Sequence, residues 1–114
     1  MRFEIVTIFP RMIESGFSEG VVARALRSGI VALGIHDLRE YADGRHRKVD
    51  DEPFGGGAGM VLKPEPIFRA VEAIRSMDGG SPSRTILLSP QGARFDQRVA
   101  ERYARSEKRP ILIC

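Results

Sequence analysis

Apolar runs of different period divide the first part of the chain into short elements. Residues Phe3–Phe9 are β-branched and aromatic apart from one acid, which predicts a mostly buried strand. Proline suits the first turn of a helix and predicts a short one over Pro10–Glu14. Apolar residues recur at helical spacing over Gly20–Arg27, and Gly29 fits a C-terminal cap. Ile30–Leu38 then predicts a second strand.

The second part of the chain shows the same alternation. About 25 residues before Pro64 lack a clear period, which is typical of a functional or disordered loop. An apolar stripe on one face predicts a helix over Pro64–Met77. Short apolar runs predict buried strands over Thr85–Leu88 and Pro110–Cys114. Asp96 can cap a helix between these strands, whose predicted inner face comprises Val99, Ala100, Tyr103 and Ala104.

Strands that alternate with helices predict an α/β fold, with a parallel sheet covered by helices on both faces. The final strand, Pro110–Cys114, has the apolar character of an interior strand, yet no helix follows it. Ligands of open parallel sheets bind beyond the carboxyl ends of the strands. We therefore expect the chain to finish at the edge of its own site and to be a fragment of a longer protein.

Composition and charge restrict the class of protein. The 114 residues are 42% hydrophobic and 29% charged, which is typical of one small globular domain or part of one. A net charge of +3 permits a nucleic-acid partner without requiring one. The one cysteine, Cys114, excludes an internal disulfide, and no metal-ligand spacing, signal peptide or membrane span is evident. These features predict a protein of the reducing cytoplasm with no metal and no membrane partner.

The most distinctive stretch runs from Arg45 to Met60. A basic cluster is followed by three acids and then by four glycines in five positions. Glycine loses the most backbone entropy on folding, so a fold retains such a run where φ must be positive or where a ligand approaches the backbone. The order of charges predicts a loop that meets a polyanion on one side and a small polar group on the other. A mobile surface hinge with an ordinary solvated face is the alternative.

A second candidate ligand loop, Ser89-Pro90-Gln91-Gly92, directly follows the third predicted strand. Proline fixes one turn, glycine frees the backbone, and exposed amides can bind a polar group. An ordinary strand-to-helix turn is the alternative. Neither loop is a P-loop, because no Gly-Lys-Ser/Thr follows the glycines. Neither is a dinucleotide fingerprint, because the glycine run does not join a strand to a helix at the required spacing.

Five segments occur in one order and at one spacing: Pro10-Arg11-Met12, Arg45-His46-Arg47-Lys48-Val49-Asp50-Asp51, Phe54-Gly55-Gly56-Gly57-Ala58-Gly59-Met60, Leu88-Ser89-Pro90-Gln91-Gly92 and Ile111-Leu112-Ile113-Cys114. In this arrangement the sequence resembles the N-terminal part of bacterial tRNA (guanine-N1)-methyltransferase, which methylates the guanine at position 37 beside the anticodon. The resemblance covers essentially all 114 residues. Two departures are Phe54, where tyrosine is common, and Ala58, where proline is common.

The resemblance implies a parallel sheet flanked by helices, in a domain whose C-terminal part forms a trefoil knot of the SPOUT type. It places the knot-forming part outside this chain. It also implies a homodimer that builds each active site from both subunits and binds S-adenosylmethionine in the knot. The loop assigned to the adenosyl part of this cofactor comprises Leu88, Ser89, Pro90, Gln91 and Gly92.

The resemblance assigns the substrate to the stretch from Arg45 to Met60. The residues implied to approach the tRNA are Arg45, His46, Arg47 and Lys48. The residues implied to line the pocket for the target guanine are Gly55, Gly56, Gly57, Gly59 and Met60, with Asp50 nearby. Guanine N1 must lose its proton to a positioned base, for which Asp50 is a supporting candidate. Asp50 and its neighbour Asp51 could equally be solvated loop acids or helix-capping groups.

The resemblance places the catalytic aspartate and arginine, two further cofactor loops and a C-terminal RNA-binding domain after Cys114. We therefore expect residues 1–114 to be a partial methyltransferase domain that contains no catalytic residue and has no turnover of its own. The competing hypothesis is a non-catalytic RNA-binding or dimerisation module, in which the basic loop binds RNA and the final strand recruits a partner chain.

Overall fold

A four-stranded parallel sheet forms the centre of the computed structural model, which describes residues 1–77, 79, 82–105 and 109–114. The strands of the chain are β1 (Arg2–Thr7), β2 (Ala32–Asp37), β3 (Asp50–Asp51), β4 (Val61–Leu62), β5 (Ser83–Leu87) and β6 (Arg109–Ile113). The helices are α1 (Pro10–Gly16), α2 (Gly20–Arg27), α3 (Pro64–Ser76) and α4 (Gln97–Arg105), with a 3-10 helix at Leu38–Tyr41. The sheet order is β2-β1-β6-β5, and all neighbouring pairs in it are parallel.

The predicted fold class, a parallel sheet flanked by helices, is confirmed. Every predicted strand and helix is present, and the predicted boundaries differ from the observed ones by one or two residues. Such differences are usual, because the ends of elements fray. Strand β6 lies between β1 and β5, so the interior position predicted from its apolar sequence is also confirmed.

The segment before α3 is more ordered than its sequence predicts. It contains the 3-10 helix and the two-residue strands β3 and β4, which pair antiparallel with Asp50 opposite Leu62 and Asp51 opposite Val61. The ladder continues where the Lys63 backbone N–H donates to the Val49 carbonyl oxygen at 2.7 Å. The prediction of no regular structure was therefore wrong for these residues. Strands of two residues are too short to produce a visible period in the sequence.

The cap predicted at the end of α2 is present. Gly29 has a φ of +72°, which is the left-handed conformation that glycine adopts without a steric penalty. Its N–H donates to the Leu26 carbonyl at 3.1 Å, and the Ile30 N–H donates to the Ala25 carbonyl at 3.1 Å. This pair of hydrogen bonds is a Schellman motif, and it turns the chain from α2 towards β2.

The hydrophobic core lies between the sheet and α3. Val6 of β1, Ile111 of β6 and Ile74 of α3 have no exposed surface. Leu38 and Val49 belong to the same buried cluster, so the segment that precedes α3 is held against the sheet at two points. The loops within this segment are therefore attached to residues that are fixed in the core.

Helix α4 covers the opposite face of the sheet incompletely. Asp96 caps it as predicted, because the Asp96 carboxylate accepts a hydrogen bond from the Val99 N–H at 2.9 Å. No residue of α4 is buried, and Ala104 on the predicted inner face is exposed. A cavity of about 930 Å³ lies between the helix and sheet residues that include Phe3 and Leu112. We call it the sheet–helix cavity.

A buried carboxylate lies in the sheet face that packs on α3. The Glu4 side chain has no exposed surface, and its Oε1 accepts hydrogen bonds from Arg109 Nε at 2.9 Å and Arg2 Nε at 2.6 Å. Its Oε2 lies 2.7 Å from His36 Nε2, which is the donor because an ionised carboxylate only accepts. Arg109, only 8% exposed, also donates to the Ile74 carbonyl. The buried charge is therefore paired, and it links β1, β2 and β6.

The partners of Glu4 determine its protonation state. Burial would raise the pKa of the Glu4 carboxyl, but the hydrogen bonds from His36 and Arg2 and the charge of Arg109 lower it below its ordinary value of 4.5. Gly34 lies opposite Glu4 in the β1–β2 pair and makes room for it. A Cβ at position 34 would lie 1.9 Å from Glu4 Oε2, so only glycine fits there while Glu4 keeps this conformation.

Candidate functional site

The carboxyl ends of the four sheet strands lie at one edge of the molecule, because the strands are parallel. The ladder extends past the strand ends: the Leu88 N–H donates to the Ile113 carbonyl at 3.0 Å, and the Cys114 N–H donates to the Val6 carbonyl at 3.0 Å. The loop that begins at Leu88 therefore starts beside the last residue of the chain. This is the edge at which open parallel sheets bind ligands.

The proline loop, Leu88–Gly92, is a tight turn. The Gly92 N–H donates to the Ser89 carbonyl at 3.2 Å, and the Gln91 N–H donates to the Ser89 hydroxyl at 3.2 Å. Pro90 occupies the second position of this turn, where its fixed φ is favourable. A Cβ on Gly92 would lie 3.3 Å from the Ser89 carbonyl oxygen, so a larger residue would fit this turn only after a shift of a few tenths of an ångström. All five residues of the loop are exposed.

Four of the five proline-loop residues line the sheet–helix cavity, and Gln91 does not. The rest of the lining is mainly apolar and comes from the sheet and α4, with Tyr103 and two arginines, Arg94 and Arg102, on the helix side. An apolar wall with a few polar groups is typical of cavities that bind small molecules. The residues predicted from sequence to bind a cofactor thus border a cavity large enough for a nucleoside.

The glycine loop, residues 52–60, connects β3 to β4. The four glycines predicted to need unusual backbone conformations all have positive φ, at +84°, +78°, +128° and +96° for Gly55, Gly56, Gly57 and Gly59. The Gly56 N–H donates to the Pro53 carbonyl at 3.0 Å, which places Gly55 at the third position of a turn. Nothing lies within 4 Å of a Cβ built on any of the four. Backbone conformation, not crowding within the chain, is therefore the reason for glycine here.

The basic cluster, Arg45–Lys48, precedes the glycine loop and is exposed at all four positions. It begins with a turn in which the Arg47 N–H donates to the Gly44 carbonyl at 3.3 Å, and Arg47 itself has a φ of +45°. One of its cations lies near an acid, since Lys48 Nζ is 3.6 Å from Asp51 Oδ1. Lys63 Nζ lies 3.8 Å from the other oxygen of the same carboxylate.

The two acids of β3 have different surroundings. The pKa of Asp51 is lowered first by a hydrogen bond from the Glu52 backbone N–H, and further by the charges of Lys48 and Lys63. Asp50, the predicted supporting residue, is half-buried in the ladder opposite Leu62. Asp50 borders neither the sheet–helix cavity nor the cavity next to the glycine loop. Of these two acids, Asp51 is therefore the one that lies close to basic side chains.

A second cavity of about 570 Å³ lies between the glycine loop and the start of α3, and we call it the hairpin cavity. Its lining includes Phe54 together with Asp43 and Arg69, which form an ion pair at 2.5 Å. The hydrogen bond from Arg69 lowers the pKa of Asp43. Sequence analysis missed this pair and Lys63. Helical spacing identified Arg69 only as a residue on the polar face of its helix. Asp43 and Arg69 are 26 residues apart, and no local sequence pattern links positions at that separation.

The predicted site residues fall into two groups in this chain. The proline loop borders the sheet–helix cavity, whereas Lys48 is the one predicted substrate residue that lines the hairpin cavity. The two cavities share no lining residue within the described part of the chain. The structure therefore does not bring the two loops to a common pocket within one chain.

Other kinds of site are not found in the described ranges. No group of three or more histidine, cysteine, aspartate or glutamate side chains in residues 1–77, 79, 82–105 and 109–114 is arranged to hold a metal ion. Among the described helices, none has the length and apolar character needed to cross a bilayer.

Comparison with known families identifies the class of protein. The sequence matches the model of the family described as tRNA (Guanine-1)-methyltransferase TrmD over residues 1–114, which is the whole chain. The chain belongs to this family. The resemblance inferred from the order and spacing of the basic cluster, the glycine loop and the proline loop is thereby confirmed.

Relatives within the TrmD family are similar to the chain along its whole length. The tRNA (guanine-N(1)-)-methyltransferase of Geobacillus kaustophilus is 50% identical over 115 residues, and that of Dehalococcoides mccartyi is 48% identical over 114 residues. Both comparisons cover all of this chain but only 46% and 45% of the respective relative. The chain thus spans less than half the length of these relatives.

A solved TrmD-family structure has the same fold. The crystal structure of tRNA (m1G37) methyltransferase from Aquifex aeolicus matches the chain with a TM-score of 0.82 and 35% sequence identity. The match covers 98% of this chain and 50% of that structure. The family and the fold therefore agree, while the roles of individual loop residues stay predictions.

Proposed function

We propose that the chain is part of an S-adenosylmethionine-dependent tRNA (guanine-N1)-methyltransferase that acts on guanine 37. The observation that carries this proposal is the TrmD family match over all 114 residues. The name of the similar Aquifex aeolicus enzyme supports guanine 37 as the target. Because the chain spans about 45% of its relatives, we assign the activity to a longer protein, in which residues 1–114 are a partial methyltransferase domain.

For the cofactor, the residues present fit an adenosyl group. The proline loop places Leu88, Ser89, Pro90 and Gly92 on the wall of the sheet–helix cavity at the carboxyl edge of the sheet. Its turn holds Gly92 close to the Ser89 carbonyl oxygen, which would lie 3.3 Å from an added Cβ. We assign these residues and Gln91 to binding of the adenosyl part of the cofactor. Exposed backbone groups and an apolar wall form a lining that suits a nucleoside. When bound, the cofactor supplies the methyl group that is transferred.

For the guanine, we assign the glycine loop with Met60 and the neighbouring Asp50. The four glycines are exposed and carry no side chains that would cover the backbone, so a flat base can approach it closely. Asp50 and the glycine loop do not border the sheet–helix cavity. We therefore propose that a second subunit completes the site, as expected of a homodimer. The basic cluster Arg45, His46, Arg47 and Lys48 would contact the tRNA, and we place the protein in the cytoplasm.

The first test is activity. We expect the 114-residue chain alone to form no N1-methylguanine on tRNA, because transfer needs the donor and the guanine held in line with a positioned base. A version extended to the length of the relatives should form it. Nucleoside analysis of tRNA after incubation with each protein measures the product. Turnover by the short chain would disprove its predicted inactivity, and no product from the extended version would contradict the proposed function itself.

The second test separates the enzyme fragment from the competing module. Calorimetry with S-adenosylmethionine should give no heat with the short chain and clear heat with the extended version. A non-catalytic RNA-binding module would bind labelled tRNA with a steep salt dependence and would bind no cofactor in either form. Salt-dependent tRNA binding together with no cofactor binding would contradict the enzyme hypothesis and support the non-catalytic RNA-binding module.

The glycine loop provides a mutational test in the extended version. Gly59→Ala introduces a side chain at a φ of +96°, and we expect about 1–2 kcal/mol of strain. If a base approaches this backbone, activity should fall by about a hundredfold, because small displacements at a reacting site have effects of this size. Methyl transfer and urea unfolding should be measured together.

Gly29→Ala is the matched control for this test. Gly29 has a φ of +72° and is exposed, and an added Cβ would meet nothing within 4 Å, as at Gly59. It should show a similar loss of stability with nearly normal activity. Equal effects of the two substitutions on activity would mean that Gly59 serves only the turn.

A further inference from the structure

One segment of the chain has a formal charge as large as that of the whole chain. Residues 82–105 contain five arginines and two acids, so their formal charge is +3. All other residues together contain thirteen basic and thirteen acidic side chains and sum to zero, with histidine neutral. The stretch that forms β5, the proline loop and α4 is therefore strongly basic, as is the basic cluster, which has three basic side chains and no acid.

Acids on either side of the basic cluster offset its charge. Between Asp43 and Glu52 three basic residues accompany four acids, so the formal charge is −1. Including Arg69 and Lys63, which pair with Asp43 and Asp51, raises it to +1, still below +3. Lys48 is within 4 Å of the Asp51 carboxylate. Phosphate attracts basic side chains mainly through charge, so the Asp43–Glu52 segment is the weaker of the two candidates for phosphate contact.

Three of the five arginines form a stripe along α4. Arg98, Arg102 and Arg105 are spaced i, i+4 and i+7, which places them on one side of the helix. All three are exposed. Arg105 lies 3.9 Å from Glu101, and its side chain is 82% exposed. Arg98 and Arg102 form no hydrogen bond or ion pair with any residue that the structure describes.

Aromatic rings accompany the arginines. The Phe95 ring stacks on Tyr103 with centroids 6.3 Å apart, and the Arg84 guanidinium lies 5.5 Å from the centre of the Tyr103 ring. Phe95 is 69% exposed. Arg94 and Arg102 border the same cavity as these two rings. Arginines interleaved with exposed aromatic rings are typical of surfaces that bind single-stranded nucleic acid.

Helix stability does not explain this arrangement. Arg102 and Arg105 lie in the last turn of α4, where a positive charge stabilises the helix dipole. Arg98 lies in the first turn, where a positive charge is unfavourable. Arg84 and Arg94 lie outside the helix altogether. A role in helix stability therefore explains only Arg102 and Arg105 among the five arginines.

We propose that these arginines form an RNA-contact surface that is distinct from the basic cluster. We call it the α4 arginine surface, and it comprises Arg84, Arg94, Arg98, Arg102 and Arg105. The guanidinium groups contact phosphates, and the exposed Phe95 ring stacks on an unpaired base. The identity of the polyanion as RNA rests on the proposed function. The surface itself rests on the charge distribution and the geometry of α4.

The test measures tRNA affinity of the 114-residue chain by fluorescence anisotropy over a salt series. Arg98, Arg102 and Arg105 are replaced together by glutamine, which removes three charges and keeps good helix propensity. Each phosphate contact contributes about one to the slope of log affinity against log salt. We expect the magnitude of this negative slope to decrease by about three in the variant. The variant should also bind every tRNA tested more weakly.

Two matched triple variants make the result specific. Replacing Arg11, Arg24 and Arg27 by glutamine removes the same charge from exposed positions on α1 and α2, and should leave the slope nearly unchanged. Replacing Arg45, Arg47 and Lys48 should reduce the slope less than the α4 variant. Equal slope changes in the α4 and α1–α2 variants would overturn the proposal, as would tighter binding to phosphatidylserine vesicles than to tRNA. Cofactor calorimetry is independent of these slopes, so failure here is distinguishable from failure of the proposed methyltransferase function.

Discussion

Replacing Glu4 by glutamine should destabilise the chain by about 3–5 kcal/mol, the usual cost of removing one member of a buried ion pair. The Glu4 carboxylate has no exposed surface and lies 2.7 Å from Arg109 Nη2, whose side chain is 9% exposed. Glutamine has nearly the same shape but no charge, so the buried Arg109 guanidinium would lose the charge of the Glu4 carboxylate. Urea unfolding followed by circular dichroism measures the loss.

Two controls test whether the charge is the cause. Glu101→Gln makes the same chemical change in an exposed pair with Arg105, and such pairs contribute little to stability. In a Glu4→Gln, Arg109→Met double variant both charges are absent, so much of the lost stability should return. If the double variant is as unstable as Glu4→Gln alone, the cost lies in packing and not in the loss of the charge interaction between Glu4 and Arg109.

The same carboxylate predicts a dependence of stability on pH. Its pKa is lower in the folded chain than its ordinary value of 4.5, so the folded state binds this proton less readily than the unfolded state. The stabilisation is present above pH 4.5 and is lost as the pH falls through the lower folded value. Unfolding free energies measured between neutral pH and pH 3 should therefore decrease more steeply in the native chain than in Glu4→Gln. Parallel curves would show that Glu4 is not linked to this decrease.

Apolar periodicity was sufficient to predict the elements of the sheet but not the interaction that joins three of its strands. Phe3–Phe9 was predicted as a buried strand although it contains an acid, and the acid itself is fully buried. Its main partner, Arg109, is 105 residues away. Local patterns carry no information about such a pair, because it forms only when β6 enters the sheet beside β1.

The candidate site was predictable at the level of loops. Four glycines in five positions predicted positive φ, and all four have it. Proline followed two positions later by glycine predicted the turn at Ser89. The cavity that each loop borders depends on the packing of α3 and α4. The spacing of residues in the sequence does not contain this information. The basic cluster was conspicuous because its charges are consecutive, whereas the arginines of α4 are spaced by three and four residues and lie together only on a helix.

Gly34→Ala should destabilise the chain by about 1–3 kcal/mol, the usual cost of overpacking a filled site. The added Cβ would lie 1.9 Å from Glu4 Oε2 and 3.2 Å from His36 Nε2. Neither group can move aside freely, because these two atoms are hydrogen-bonded to each other at 2.7 Å. Gly16→Ala is the control, since nothing lies within 4 Å of a Cβ there and the residue ends an exposed helix. It should be neutral or slightly stabilising.

The cost of Gly34→Ala should depend on Glu4, which a double-mutant cycle measures directly. When Glu4 is alanine and Arg109 is methionine, the oxygen that would collide with the new methyl group is absent. Gly34→Ala should then cost much less than it does in the native chain. An unchanged cost would mean that the strand backbone at Gly34, and not the space taken by the carboxylate, requires glycine. The cycle therefore decides whether the glycine of β2 and the buried acid of β1 act as one unit.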